Sequence, residues 1–308
     1  MLMKNYKAHL SYIFLVIFLY SFYSYIQENI EMFNLIFSIQ THNIGIIFLI
    51  SFINYAIKAK INVDIYSFSK IKLSVLESLR IISRSTAINL SGPANIGAGY
   101  KLHYLKKKYN LNIIENISIN TAYAFYLNYF YIITIFLITL SSNQTELENS
   151  FYLNYFLITV IFALFIFLKI ISSNKLEKIK IKSLKDTVEK LLLGFRYFKE
   201  DSANVRKLIL SSFIYIVVSI IYLQAIMSSI GFNISLYSLL VLHCLSSVVN
   251  LIKITPGNIG FLEVSLIFLQ GLHGITTNQI IIFSVVSRIV SFASLLLLFG
   301  VDKIANKN

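Results

Sequence analysis

The sequence predicts an all-α, polytopic membrane protein with about six transmembrane helices and two re-entrant broken-helix hairpins arranged as an inverted repeat. Three features predict this fold: long windows without charge, a one-sided distribution of Lys and Arg, and two copies of one proline-containing pattern. Of the 308 residues, 56% are hydrophobic and 13% are charged, and the mean hydropathy is +0.72. Soluble proteins carry about 25% charged residues, so this composition excludes a soluble enzyme and a nucleic-acid-binding protein.

Six windows are long enough to cross a bilayer, whose core of about 30 Å needs roughly 20 apolar residues per helix. The first window follows Lys4 and Lys7, as a signal peptide would, but no small-residue cleavage site precedes Glu28. We therefore expect it to remain as an anchor. The six windows are 8–27, 32–57, 116–140, 149–168, 208–230 and 280–300.

Two further windows are apolar but interrupted. Residues 85–100 offer only 16 positions between Arg84 and Lys101, and they contain one proline and three glycines. Residues 236–272 are interrupted in the middle by a proline and two glycines. Proline removes a backbone donor and clashes with the preceding turn, so we expect each window to form a re-entrant hairpin. Two short spans at 236–272 would give the same topology.

The positive charges predict the orientation of the chain. Lys and Arg are enriched in cytoplasmic loops, and 25 of the 27 fall in segments that one topology places on the cytoplasmic side. We therefore expect a multi-pass protein of the cytoplasmic (inner) membrane with its N-terminus and C-terminus in the cytoplasm. The cytoplasmic segments are 1–7, 58–84, 101–115, 169–207 and 301–308.

This topology divides the chain into two membrane halves, 1–168 and 208–308, joined by a basic linker at 169–207. Within the linker, residues 175–199 place apolar side chains on one stripe and lysines elsewhere. A basic amphipathic helix of this kind lies along a membrane surface. We interpret the linker as interfacial rather than catalytic.

The only two prolines begin the same pattern, Pro93-Ala94-Asn95-Ile96-Gly97 and Pro256-Gly257-Asn258-Ile259-Gly260. Each proline lies 24 residues before the next clean span, which starts near Ile117 or Ile280. In the predicted topology the first hairpin enters from the cytoplasm and the second from outside, which makes an inverted repeat. Broken helices in inverted repeats are typical of secondary transporters. Alternatively, the prolines only kink two buried helices, which membrane helices tolerate.

Three charges remain at membrane depth: Lys253, Glu263 and Arg288. Such charges are costly and usually face a cavity or one another. A structural interpretation pairs Glu263 with Lys253 or Arg288 to fix helix packing. A functional interpretation notes that two cations face one carboxylate, so an anionic head group would complete the balance. Arg84 and Lys101 bracket the first hairpin and are further candidates for substrate contact.

Catalytic patterns are sparse. The five histidines are scattered without the spacing of metal ligands, and Cys244 is the single cysteine. His243 would suit an acyltransferase, and Glu28 and Glu31 would suit a glycosyltransferase. The alternatives are a packing histidine and an ordinary external loop. We therefore expect no enzyme, metal or cofactor, and keep a membrane glycosyltransferase, an acyltransferase or an accessory subunit as alternatives.

The stretch from Lys253 to Glu263, followed by Gly274 and Ser287-Arg288, resembles the C-terminal signature of the lysylphosphatidylglycerol synthase transmembrane-region family, also called flippase-like. The segment from Gly92 to Gly99 and the basic run after it resemble the N-terminal signature. The resemblance covers about residues 8–300. It implies lipid translocation by the membrane part alone, since no soluble aminoacyl-transfer region follows in this sequence.

The resemblance also implies the substrate class and, with the charges, the site. The expected substrate is an anionic phospholipid or a lipid-linked sugar, with a homo-oligomer or an envelope-biosynthesis partner left open and no nucleic acid. The candidate substrate-binding residues are Arg84, Pro93, Asn95, Gly97, Lys101, Lys253, Pro256, Gly257, Asn258, Gly260, Glu263 and Arg288.

Overall fold

The structure is a computed structural model that describes most of the chain. The predicted spans 8–27 and 149–168 fall outside the described residues, apart from three isolated positions in the first of them. The described residues are 30–91, 96–141, 182–250, 258–270 and 274–305, together with Tyr20, Tyr23 and Gln27.

Every regular element in these ranges is a helix, as the composition predicted. In chain order the helices are α1 (Ile30–Phe37), α2 (Thr41–Ser67), α3 (Val75–Ser91), α4 (Ile96–Tyr109), α5 (Ile113–Ser141), α6 (Lys182–Glu200), α7 (Ser202–Ser229), α8 (Leu236–Val249), α9 (Phe261–Phe268) and α10 (Thr277–Ala305).

The chain forms two compact units, each built from segments that are distant in sequence. Unit 1 combines the described parts of Met1–Lys58, Leu79–Lys101 and Tyr215–Asn308. Unit 2 combines those of Ala59–Ser78 and Leu102–Ile214.

Three of the described helices are long and apolar enough to cross a membrane: α2, α7 and the segment Thr277–Phe299 of α10. At a rise of 1.5 Å per residue, the 27 residues of α2 extend about 40 Å, which exceeds the hydrocarbon core. The predicted spans 208–230 and 280–300 correspond to α7 and α10, and 116–140 corresponds to α5. The described part of the chain is therefore that of a membrane protein.

The predicted span 32–57 is wrong as a single helix, because the chain breaks between α1 and α2. At the break, the Ser38 hydroxyl donates to the Leu35 carbonyl at 2.8 Å. The Gln40 carbonyl then accepts from the Asn43 and Ile44 N–H groups as α2 begins. Ser side chains compete for backbone groups in this way, which favours a helix end at that point.

Helix α2 also continues past the last residue of that window, to Ser67. The charge of Lys58 ended the apolar window, but the helix continues through Lys60 and Asp64. The two side chains form an ion pair one turn apart, and such pairs support a helix. A charge count thus located the end of the apolar stretch and missed the end of the helix.

Helices α3 and α4 fold back on each other, and the hairpin is longer than the predicted window 85–100. Gly97 lies against α3 in unit 1, where a Cβ atom would come within 2.0 Å of the Ser85 carbonyl oxygen. Its backbone N–H donates to Asn89 Oδ1 at 2.8 Å. Only a residue without a side chain permits this approach.

In the second interrupted window, α8 and α9 pack against each other, and α9 packs against α10. Residues 251–257 between α8 and the start of the α9 turn are outside the described range. Asn258 and Gly260 take positive φ angles of 58° and 80°, which are conformations that Asn and Gly tolerate best. Each interrupted window therefore includes the end of one described helix and the start of the next.

Helix α6 is the described part of the predicted amphipathic helix, and its apolar stripe packs on α5 in unit 2. Val188, Leu191 and Phe198 are buried. Gly194 lies so close to α5 that a Cβ atom would meet the Ser118 carbonyl oxygen at 2.2 Å. In the described part of the linker, α5 thus covers apolar side chains of α6, and the position of the linker at the membrane surface stays a prediction.

Candidate functional site

Helices α9 and α10 bring a carboxylate, Glu263, and a guanidinium, Arg288, together in unit 1. Glu263 lies in the first turn of α9, and its side chain is only 8% exposed. The Gly260 backbone N–H donates to Glu263 Oε2 at 2.8 Å, so the carboxylate closes the first turn of its own helix. The left-handed Gly260 begins the turn and directs this N–H toward the carboxylate.

Two residues one turn apart on α10 engage the other carboxylate oxygen. Arg288 approaches Glu263 Oε1 with Nη2 at 2.5 Å and Nε at 3.1 Å, and the Ser284 hydroxyl donates to the same oxygen. Arg288 Nε also lies 3.3 Å from Ser284 Oγ. The spacing of four residues places Ser284 and Arg288 on the same face of the helix.

The electrostatics of this group are asymmetric. Arg288 is 27% exposed, whereas Glu263 is 8% exposed, so the cation is the more accessible partner. A buried ion pair is weak support for stability because desolvation offsets most of the attraction. The arrangement can therefore bind an anion, provided that the anion replaces the carboxylate as the partner of Arg288.

Asn258 lies two residues before Gly260, at the helix break, and is 6% exposed. Its Nδ2 donates to Asn250 Oδ1 at 3.1 Å, which ties the break to the end of α8. Its Oδ1 is buried and has no hydrogen-bond partner among the residues that the structure describes. An unsatisfied buried acceptor is costly, and a donor group of a bound molecule would satisfy it.

Among the described residues, the remaining predicted site residues make no hydrogen bond to the Glu263 carboxylate. Gly97 packs in the first hairpin, Arg84 is exposed on α3, and Lys101 is half-buried on α4. The contacts of the carboxylate in the described residues are to Gly260, Ser284 and Arg288 alone. The predicted residues that lie outside the described ranges are Pro93, Asn95, Lys253, Pro256 and Gly257.

Sequence reasoning missed two carboxylates in unit 2. Asp64 is 3% exposed and accepts a hydrogen bond from the Ser211 hydroxyl at 2.7 Å in addition to its ion pair with Lys60. Glu77, at the start of α3, accepts hydrogen bonds from the last turns of α4. A sequence signal existed for Glu77 alone, since Ser74-Val75-Leu76-Glu77 has the pattern of a helix capping box.

Comparisons with known proteins agree with the membrane architecture. The family model described as the lysylphosphatidylglycerol synthase TM region matches residues 10–299. No curated protein and no solved structure matches the chain. The match extends over both hairpins and over the Glu263–Arg288 pair.

Proposed function

The chain belongs to the lysylphosphatidylglycerol synthase transmembrane-region family, and from that membership we propose that it translocates an anionic lipid or a lipid-linked glycan across the cytoplasmic membrane. The family suggests a membrane protein of lipid or envelope biosynthesis. The step from there to translocation depends on the second hairpin.

The observation that carries the proposal is the position of Arg288 on α10. It lies 11 residues from the start of the helix, or about 17 Å along the axis, which is near the middle of a bilayer core. A cation at that depth is costly unless it faces a cavity or a partner, and such residues commonly mark a substrate path. Its partner Glu263 lies where the helix is broken, which is the usual place for a binding site in transporters.

The chemistry of the pair supplies a way to couple binding to movement. The phosphate of a head group competes with Glu263 for Arg288. Once replaced, the carboxylate keeps the Gly260 N–H and the Ser284 hydroxyl but loses its cation. It must then take up a proton or move, and either change alters the contact between α9 and α10.

Asn258 supports a substrate with donor groups as well as a phosphate. A sugar or glycerol hydroxyl of a head group that enters the helix break would satisfy its buried Oδ1. An acyl chain would remain in the lipid while the head group occupies the break. This division suits a molecule with one polar and one apolar end.

Reconstitution tests the proposal directly. Purified protein in vesicles should move a fluorescent anionic lipid or lipid-linked sugar between leaflets faster than protein-free vesicles do, without changing it covalently. Mass spectrometry of the recovered lipid checks the second condition. A new covalent product without movement would instead show a glycosyltransferase or acyltransferase. The absence of both activities would favour an accessory subunit.

A further inference from the structure

A second carboxylate in the described residues is held by converging donors, far in sequence from the Glu263–Arg288 pair. Glu77 Oε1 accepts from the Tyr104 hydroxyl at 2.8 Å and from Lys108 Nζ at 2.6 Å, and Oε2 accepts from the Tyr109 hydroxyl at 2.6 Å. All three donors belong to α4, whereas Glu77 belongs to α3. We call Tyr104, Lys108 and Tyr109 the α4 cradle.

The cradle is built around Lys108. Its ammonium lies 5.9 Å from the centre of the Tyr104 ring and 5.4 Å from that of the Tyr109 ring, so both rings contribute cation–π attraction. The lysine side chain is 51% exposed, and Glu77 is 16% exposed. The charged donor is therefore open to solvent while it holds the carboxylate.

The geometry fits a phosphate ester as well as a carboxylate. A phosphodiester presents two unesterified oxygens that share one negative charge, as a carboxylate does. Two donors meet one oxygen of Glu77 and one donor meets the other, which is a pattern that those two phosphate oxygens can reproduce. Bonds from charged donors to phosphate or carboxylate oxygens are among the strong hydrogen bonds in proteins.

The Glu77 carboxylate has an alternative hydrogen-bond donor at the N-terminus of its own helix, the Ser74 backbone N–H. The Ser74 hydroxyl accepts from the Glu77 backbone N–H at 3.1 Å, which is one half of a capping box. In a complete box the Glu77 carboxylate would return to the Ser74 backbone N–H, but here both carboxylate oxygens are turned toward α4. The same side chain can thus join α3 to α4 or cap α3 alone.

The surroundings attract anions to this position. Lys106 and Lys107 are exposed on the same last turn of α4. Basic residues near a membrane surface attract anionic lipid. The expected orientation places this turn on the cytoplasmic side, where such a surface is available.

We propose that the α4 cradle is a binding site for a phosphate ester, in the first place the phosphodiester of an anionic lipid head group, and that its arrival moves Glu77 from the cradle to the Ser74 N–H and releases the first turn of α3 from the last turns of α4. The site uses other residues than the Glu263–Arg288 pair, and its test does not depend on transport. Failure of translocation in vesicles would therefore leave this inference standing, and the reverse also holds.

Spin labels on either side of the contact between Glu77 and the α4 cradle test the inference in the full chain. After Cys244→Ala removes the single cysteine, Leu76→Cys and His103→Cys place labels on α3 and α4 at exposed positions. In phosphatidylcholine vesicles we expect dipolar broadening between the labels. In vesicles that also contain phosphatidylglycerol, we expect that broadening to decrease. Soluble glycerol phosphate, added to neutral vesicles, shows whether a free phosphate ester acts in the same way as a lipid.

Two variants of adjacent lysines provide the matched control. Lys108→Gln and the double variant Tyr104→Phe/Tyr109→Phe should remove the response to phosphatidylglycerol, whereas Lys107→Gln should keep it. Glu77→Gln should show the released state in neutral vesicles already. If Lys107→Gln removes the response as fully as Lys108→Gln, general surface charge is the cause and the site is wrong. If anionic lipid leaves the broadening of the parent chain unchanged, the contact between Glu77 and the α4 cradle is purely structural and the inference is also wrong.

Discussion

Arg288 Nη2 lies 2.5 Å from Glu263 Oε1, although 25 residues and the turn between α9 and α10 separate the two side chains in sequence. The contact joins the first turn of a short helix at a break to the middle of a long apolar helix. Both interpretations of the membrane charges, a packing pair and a substrate site, include this contact. Variants of the two residues distinguish these two interpretations.

Glu263→Gln should lower lipid translocation by an order of magnitude or more while the folded yield stays near that of the parent chain. The amide keeps the shape of the side chain but cannot neutralise Arg288, so exchange between carboxylate and phosphate is lost. Translocation rate and monodisperse yield should be measured together. Glu115→Gln, in the first turn of α5, is a matched control that should change neither. If the pair only stabilises packing, its loss should cost about 3–5 kcal/mol, and yield would fall with activity.

Arg288→Ala should weaken the capture of an anionic substrate, which appears as a higher substrate concentration at half-maximal rate. Arg288→Lys should recover only part of it, because an ammonium cannot reproduce the forked donors of the guanidinium. Arg206→Ala, at an exposed position in the first turns of α7, controls for the loss of one positive charge. Equal effects of the two alanine variants would argue against a specific site at Arg288.

Gly97→Ala should destabilise the first hairpin. Its Cβ atom would come within 2.0 Å of a backbone oxygen of α3, and overpacking of this kind typically costs about 1–3 kcal/mol. Gly99 is the matched control, since a Cβ atom there meets nothing within 4 Å and alanine favours a helix. Thermal unfolding in detergent should show a lower midpoint for Gly97→Ala than for Gly99→Ala. Equal midpoints would show that α3 and α4 adjust without cost.

The stabilisation from the hydrogen bonds between Glu77 and α4 should be lost in acid. Burial raises the pKa of the Glu77 carboxyl, but hydrogen bonds from Lys108, Tyr109 and Tyr104 outweigh burial and hold the pKa below its ordinary value of 4.5. A lowered pKa means that the stabilisation is present above pH 4.5 and is lost as the pH falls through the lowered value. The difference in unfolding midpoint between the parent chain and Glu77→Gln should therefore vanish in acid. A difference that is independent of pH would contradict this assignment.

Labelling from one side of the membrane tests the orientation. A cysteine at Asn278, at the start of α10, should react with an impermeant reagent added outside, whereas one at Lys107 on α4 should react only after the membrane is opened. The prediction follows from the placement of positive charges. Reaction of Asn278 only from the cytoplasmic side would remove the inverted repeat, and with it the analogy to transporters.

Local sequence signals predicted a large part of the fold. Hydropathy located α5, α7 and α10 with ends that differ by at most six residues, and each copy of the proline pattern begins between two described helices. The charge pattern also singled out Glu263 and Arg288, because a charge in an apolar window is conspicuous. These features depend on neighbouring residues alone, so one sequence is sufficient to find them.

Contacts between distant residues could not be predicted in the same way. Glu77 meets residues 27 to 32 positions away, and that meeting depends on how α3 and α4 align. Asp64 meets Ser211 across 147 residues. In the sequence both acids lie among basic residues and are typical of a cytoplasmic loop. Charge alone therefore indicated a side of the membrane and gave no indication of a partner.

The contact of Arg288 with Glu263 Oε1 also has a consequence for the biosynthesis of the protein. Helix α9 leaves the ribosome before α10, so the carboxylate reaches the membrane while its cation is still being synthesised. Either residue alone in hydrocarbon costs at least about 2.5 kcal/mol, whereas the pair partitions with its charges compensated. We therefore expect the two helices to leave the translocon together, as one hairpin, and not one after the other.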